Sequence, residues 1–444
     1  MAAPQQQTGT RLDPWYGSYA QRTHSLRSSE TRALFSVANR PEVVSLAGGM
    51  PYIDALPLEI VAKITADLIA TEGSVALQYG NGQGHPVLRE HITEVMAEEG
   101  IHAHADDVVV TTGSQQALDL VTRIFIDPGD VVLLEAPSYV GAISVFHSYE
   151  AEMVHVEQDG QGLVPEALRQ AIKRCKAAGQ HVKFLYMIPT FHNPAGTLLP
   201  VSRRQEILEI CRKEGVLIVE DNPYGLLGFD GTVTPAIRSL DETGESVVYL
   251  GTFSKTFAPG YRTGWAVAPH AVREKLVLAS EASILCPSHA SQLSISAYLE
   301  HCDWRGQIDD YRGVYKERCD AMLQALAEHM PDCTWTVPTG GFYTWVKLPE
   351  GLDAKAMLPR ATTALVAYCS GSAFYADGTG TDHMRLSFCY PTPDRIREGV
   401  RRLAGVIQRE KELVELFGPG LVGHDTSAAD GDAPDIDFPA PDVA

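Results

Sequence analysis

A chain of 444 residues is long enough for a large core and more than one folding unit. Its 45% hydrophobic and 21% charged residues are ordinary for a globular protein, and no apolar run reaches the length of a membrane span. A formal net charge of −20 argues against broad binding to a nucleic-acid backbone, and an N-terminus without an apolar stretch does not read as a secretory signal, so a cytoplasmic protein is expected.

Between roughly residues 55 and 290 strand-like and helix-like segments alternate. "DVVVTT" at 107–112 reads as a buried strand and is followed by the amphipathic "SQQALDLVTRIF". "DVVLLEAP" and "YVGAISVFHSY" repeat the pair, and "VKFLYMIPT", "SRRQEILEICRKEG", "VLIVEDNPYG", "SVVYLGTFSK" and "GWAVAP" continue it. Continuous apolar strands separated by helices predict an α/β fold with a mainly parallel sheet covered on both faces. Ligands in such sheets bind outside the carboxyl ends of the strands, which places the following loops in one crevice.

A helical connection is expected around 290–330. Beyond it, "GGFYTWVKLP" and "HMRLSFCY" read as short strands, with "AKAMLPRATTALVAY" between them as a helix. The run "TPDRIREGVRRLAGVIQREKELVELF" predicts a long helix with Thr392 as N-cap and Pro393 in the first turn. These elements make a smaller C-terminal α/β domain, so the chain divides into segments 1–54, 55–295, 296–417 and 418–444. The last holds six Asp and no Lys or Arg after His424, and reads as a disordered, solvated tail. The eight cysteines are scattered without a CxxC pair, which removes the spacing of zinc and thioredoxin-like sites and predicts reduced thiols.

Four strand-end loops carry unusual polar residues. "TTGSQQ" sets Gly113, Ser114 and Gln115 at a helix start, where free N–H groups and the helix dipole suit a phosphate, although Gly-Ser is also a generic cap. "FHNPAG" places Asn193 before a proline, the ordinary reading of which is a turn. "VEDNPYG" ends a buried strand on Asp221, with Tyr224 three residues on, and an acid there needs a cationic or hydrogen-bonding partner. "GTFSKTFAPGYRTGW" supplies Ser254, Lys255 and, seven positions after the lysine, Arg262. One cofactor uses this whole set: pyridoxal 5′-phosphate needs a lysine amine for a Schiff base, an acid for its ring nitrogen, and donors for its phosphate and ring oxygen.

The ordered motifs N-P-x-G, D-x-x-Y and S-K-x-x-x-P-G-x-R-x-G-W resemble fold-type I pyridoxal-phosphate enzymes of the class I/II aminotransferases. The resemblance is strongest to the α-aminoadipate and kynurenine aminotransferase subgroup, whose pattern is also matched by "VVSLAGGMPYIDALP", "LQYGNGQGHPVLRE", "GSAFYADG" and "MRLSFCY". It covers about residues 25–410. It implies a large domain built on a seven-stranded-type sheet, a ping-pong exchange of an amino group between an L-amino acid and a 2-oxo acid, and a homodimer with shared active sites. Lys255 is then the Schiff-base lysine and acid/base, Asp221 the partner of the pyridine nitrogen, and Asn193 and Tyr224 the contacts of the ring oxygen. Tyr139 stacks on the ring, and Arg385 grips the substrate α-carboxylate with a bidentate pair that lysine cannot copy. Tyr79 reaches the cofactor phosphate of the neighbouring subunit. Segment 1–54 folds over the active site as an arm.

Substrate choice is more open. Gly49 and Asn193 belong to the substrate side of the site by the same resemblance, and Arg32 stands where relatives can place a side-chain contact for a distal carboxylate. A solvated Arg32 on a helix face is equally compatible with the sequence. Tyr16, Tyr261 and Phe342 leave room for an aromatic or aliphatic side chain instead. A lyase, cyclase or decarboxylase on the same scaffold would share the cofactor site. A regulator with an aminotransferase-like effector domain would need a DNA-binding domain in front, for which fewer than fifty residues precede "AGGMP".

Overall fold

The structure, a computed structural model, describes residues 13–25 and 40–418. Expectations attached to Arg32 and to the acidic tail lie outside these residues.

A two-residue strand β1 (Val44–Ser45) precedes a sheet built from β2 (Val108–Thr111), β3 (Val131–Ala136), β4 (Glu152–Asp159), β5 (Gly162–Leu163), β6 (Val182–Met187), β7 (Leu217–Asp221), β8 (Val247–Thr252) and β9 (Gly264–Val267). The strand order is β2-β9-β8-β7-β6-β3-β4-β5. Strands β8, β7, β6, β3 and β4 run parallel, and β9 is antiparallel to both of its neighbours. The seven-stranded parallel-type sheet is therefore present, with two-residue β5 added antiparallel at the β4 edge.

Alternate residues of each central strand go to opposite faces, as the two-residue strand period requires. Val132, Leu134, Phe184, Tyr186, Val219 and Leu250 join one core with the helices Ser114–Phe125 and Val140–Ser148. Val131, Leu133, Leu185, Met187 and Ile218 join the other with the helices Pro165–Ala177 and Val201–Glu214. Coverage on both faces explains why these strands read as unbroken apolar runs.

The helices His289–His301 and Trp304–His329 make the expected connection, the second capped by Asp303 Oδ1 accepting from the Gly306 N–H at 2.9 Å. The smaller domain is an antiparallel sheet of β10 (Thr334–Trp335), β11 (Tyr343–Lys347), β13 (Cys369–Ser370) and β14 (His383–Ser387) in the order β10-β11-β14-β13, with β12 (Val366–Ala367) between β11 and β13 in the chain. The terminal helix Pro393–Phe417 begins after Thr392 as predicted, although the Thr392 side chain makes no capping bond.

The segment read as one helix through residue 368 is corrected. Helix occupies only Leu358–Thr363; Leu365 turns to φ +58°, and Val366–Ala367 pair in parallel with Val44–Ser45. The pairing continues as Leu46 N–H donates to Ala367 O at 2.8 Å, and Ser387 N–H donates to Leu46 O at 2.7 Å. The backbone leading to Gly49 is thereby tied to the smaller domain. No helix among the described residues is long and apolar enough to cross a membrane.

Candidate active site

Because β2, β3, β6, β7 and β8 point the same way, the loops that leave them open on one side of the sheet. There they surround a cavity of about 580 Å³. Gly49, Ser114, Gln115, Tyr139, Asn193, Asp221, Tyr224, Ser254, Lys255, Arg262 and Arg385 all line it. Gly113 sits directly behind Ser114 as N-cap of the helix Ser114–Phe125. Tyr79 is 76% exposed and does not line this cavity.

The Lys255 Nζ donates to Gly49 O at 2.9 Å and lies 5.6 Å from the centre of the buried Phe342 ring. Burial brings the ammonium pKa down to about 8; Arg385 and Arg262 add to the shift, while Cys389 and Asp221 oppose it. A lysine so placed keeps part of its population as free amine near neutral pH, which is what a nucleophile or proton acceptor needs.

Asp221, the last residue of β7, is buried, and burial pushes its carboxyl up to about 6 against the opposing effects of Tyr186 and Lys255. Its Oδ2 accepts from the Tyr186 hydroxyl at 2.8 Å. Its Oδ1 is buried without a hydrogen-bond partner. A buried carboxylate oxygen in that state is a strong acceptor lacking a donor. The protonated ring nitrogen of pyridoxal phosphate would supply one, so the residues fit the cofactor.

Groups that could donate to a phosphate lie together. Gly113 adopts φ +78° and starts the helix whose first N–H groups, at Ser114 and Gln115, are free of intrahelical partners. Arg262, at φ +49° after the turn Pro259–Tyr261, reaches Ser254 Oγ at 3.4 Å. The set combines backbone N–H groups, a hydroxyl and a guanidinium, which suits a doubly charged phosphate.

Arg385 on β14 donates to Asn193 Oδ1 at 2.9 Å and to Ala47 O at 2.6 Å, with its guanidinium 4.2 Å from the Tyr343 ring centre. Its cross-strand neighbours are Trp345 and Cys369, so the cross-strand acid of an ordinary structural arginine is missing. Tyr139 precedes the helix Val140–Ser148, donates to Gln115 Oε1 at 3.2 Å, and is pushed up to about 12 by burial.

Two tyrosines beyond those identified from sequence belong to this site. Tyr343 lines the cavity with its hydroxyl 3.5 Å from that of Tyr224, in space left by Gly49. Tyr186 holds Asp221 from the neighbouring strand; its signal was the shared strand parity of the two residues once β6 and β7 are aligned. Phe342 is fully buried beneath Lys255 and does not line the cavity. Tyr261 instead packs on Phe257 outside the cavity lining, and Tyr16 is exposed.

Comparison with known proteins agrees with this geometry. Residues 41–403 match the family model for aminotransferase class I and II. Aromatic-amino-acid aminotransferase 1 of Thermococcus litoralis is 42% identical over 395 residues, covering 88% of this chain and 94% of that protein. The solved kynurenine aminotransferase of Pyrococcus horikoshii, in complex with PMP, superposes with a TM-score of 0.86 at 39% identity, covering 90% of this chain and 99% of that one. The α-aminoadipate aminotransferase of Thermus thermophilus, complexed with N-(5′-phosphopyridoxyl)-L-leucine, gives 0.84 at 34% identity over 90% and 100% of the two chains. These likenesses speak for amino-group transfer over the other outcomes the scaffold admits. The protein uses pyridoxal 5′-phosphate to move amino groups between amino acids and 2-oxo acids, and it belongs to the class I and II aminotransferases.

Proposed function

We propose that this aminotransferase prefers amino donors with neutral aromatic or aliphatic side chains and works as a homodimer in the cytoplasm. Lys255 takes and returns the proton at the substrate Cα, Asp221 keeps the cofactor ring nitrogen protonated, and Arg385 grips the α-carboxylate. The observation that carries the assignment is the meeting, in one cavity, of a lowered-pKa lysine, a carboxylate with an unpartnered oxygen, and a buried arginine that pairs with no acid among the described residues.

Pyridoxal phosphate, when bound, supplies the electron sink that makes the Cα proton removable. The chain's own groups do the rest. Ser114, Gln115, Ser254 and Arg262 hold the phosphate, with Gly113 allowing the close approach. Asn193 and Tyr224 contact the ring oxygen, and Tyr139 covers the ring. Gly49 O orients the Lys255 amine, and burial keeps enough of it unprotonated to accept the proton.

The neutral-donor reading is supported by the walls. Met50, Val140, Ile188, Tyr139 and Tyr343 line the cavity, and its cations among the described residues, Lys255, Arg262 and Arg385, all have other tasks. A relative's name specifies aromatic amino acids, and another relative was solved with a leucine adduct. A distal carboxylate paired with Arg32 is the competing reading, favoured by the name of the Thermus thermophilus relative. Comparing kcat/KM for phenylalanine, tyrosine and leucine with that for glutamate and 2-aminoadipate, at one fixed 2-oxo acid, decides between them. A preference for the acidic donors would overturn the first reading.

Dimerisation is supported by exposed Tyr79 beside exposed Leu77, apolar surface that a second copy would cover while Tyr79 reaches that copy's cofactor phosphate. Sedimentation of the purified protein tests it. The eight cysteines are all free, which supports a reducing compartment. Segment 1–54 is assigned as an arm toward the site, 55–295 as the cofactor-binding domain, 296–417 as the smaller domain and 418–444 as the tail.

A further inference from the structure

Asp221 carries the cofactor assignment, yet only one hydrogen bond among the described residues holds its carboxylate. It comes from Tyr186, the next-to-last residue of β6, a position that looks from the sequence like plain core packing. The register explains the contact: Tyr186 pairs with Val219 on β7, so Tyr186 and Asp221 leave the same face of the sheet two residues apart. The Tyr186 hydroxyl donates to Asp221 Oδ2 at 2.8 Å. Its ring is fully buried and held edge-on by Phe146, with centroids 5.5 Å apart and planes at 75°. A ring locked in this way presents its hydroxyl with little freedom, and Oδ1 is the oxygen left over.

We infer that Tyr186 is a positioning residue of the amino-transfer reaction: its hydroxyl fixes the Asp221 carboxylate through Oδ2, so that Oδ1 serves the ring nitrogen of the cofactor. The inference rests on Asp221 being the partner of that nitrogen. The other titratable groups around the carboxylate do not substitute for the bond. Tyr139, from the loop after β3, and Tyr249, from β8, are phenols raised by burial and stay neutral. Glu135 on β3 stands near Tyr186 and would repel negative charge, and Lys255 acts on Asp221 through its charge without a hydrogen bond between them. Loss of the tyrosine hydroxyl therefore leaves a buried carboxylate with no fixed donor, which favours its protonated form.

The test is Tyr186→Phe, which removes one oxygen and keeps the ring. Cofactor-free protein is titrated with pyridoxal phosphate across pH 5 to 8, and kcat and KM are measured on the reconstituted enzyme. The expected result is roughly 10- to 100-fold weaker cofactor binding near neutral pH, with the acid midpoint of binding moved up by about one unit or more. The turnover number falls, and KM for the amino donor stays close to that of the parent. Phe146→Leu loosens the packing of the same ring but keeps the hydroxyl, and its acid midpoint should move by much less than that of Tyr186→Phe. An unshifted midpoint and parental affinity in Tyr186→Phe would overturn the inference, as would an equal shift in Phe146→Leu. Asp221→Ala separates the two levels. If it removes the pH dependence while Tyr186→Phe does nothing, the inference fails alone; if Asp221→Ala also changes nothing, the role of Asp221 itself fails.

Discussion

A side chain at position 113 and the guanidinium of Arg262 compete for the same space: a Cβ added to Gly113 would stand 2.6 Å from Arg262 Nη2. The φ of +78° at Gly113 adds backbone strain to any substitution. Gly113→Ala is expected to push Arg262 off the phosphate position and weaken pyridoxal phosphate binding about 10- to 100-fold, the size of losing a charge-assisted hydrogen bond. Titration of the cofactor-free protein checks this; parental affinity would remove Arg262 from the phosphate site.

Gly49 and Tyr343 make a second steric pair. A Cβ on Gly49 would lie 2.0 Å from the Tyr343 hydroxyl oxygen, and the carbonyl of the same glycine accepts from Lys255. Gly49→Ala should lower kcat by displacing the lysine, and adding Tyr343→Phe should recover part of the loss because the nearest remaining ring atom is 3.1 Å away. Steady-state kinetics of the two single variants and the double variant measure the coupling. Strict additivity would mean that the two side chains do not share that space.

Arg385→Lys should raise KM for every amino donor and lower kcat/KM by about 10- to 100-fold, since an ammonium cannot make the paired bonds of a guanidinium. The bond to Asn193 Oδ1 is put at risk as well, so a smaller fall in kcat is expected beside the KM effect. A variant with unchanged KM for all donors would take the α-carboxylate away from Arg385.

Burial raises the Asp221 carboxyl from its usual 3.8 to about 6, so the cofactor-free folded state binds this proton more tightly than the unfolded chain does. The sign follows: the group favours folding below about pH 4 and that contribution is lost as pH rises through 6, a difference of about 3 kcal/mol above pH 7. Asp221→Asn should therefore raise the Tm of the cofactor-free protein at pH 8, with the gain shrinking toward pH 4. Calorimetry across that range tests it, and a gain independent of pH would show that the carboxyl is not the cause.

Much of this was legible from residue order because local rules dominate there. The helix Ser114–Phe125 follows its amphipathic run from end to end, and Asp221 and Lys255 stand where parallel strands give way to loops. Long-range pairing was harder to read. Val366–Ala367 look helical in isolation, and only their match with Val44–Ser45, far away in the chain, makes them a strand. Tyr186 could not be told from a packing residue until the β6–β7 register was known. Tyr261 went the other way: an aromatic between Arg262 and the cofactor lysine looked like substrate wall, but the turn Pro259–Tyr261 sends it against Phe257. Loop side-chain direction depends on such turns and not on composition.

The most direct measurement is the visible absorption of the purified enzyme reconstituted with pyridoxal phosphate, followed as single amino acids are added without an acceptor. The band should bleach with phenylalanine, tyrosine or leucine and return when a 2-oxo acid is supplied, and Lys255→Ala should not show the parental band at all. A parental band that no amino acid bleaches, or release of ammonia or carbon dioxide in place of a 2-oxo acid, would contradict amino transfer at Lys255.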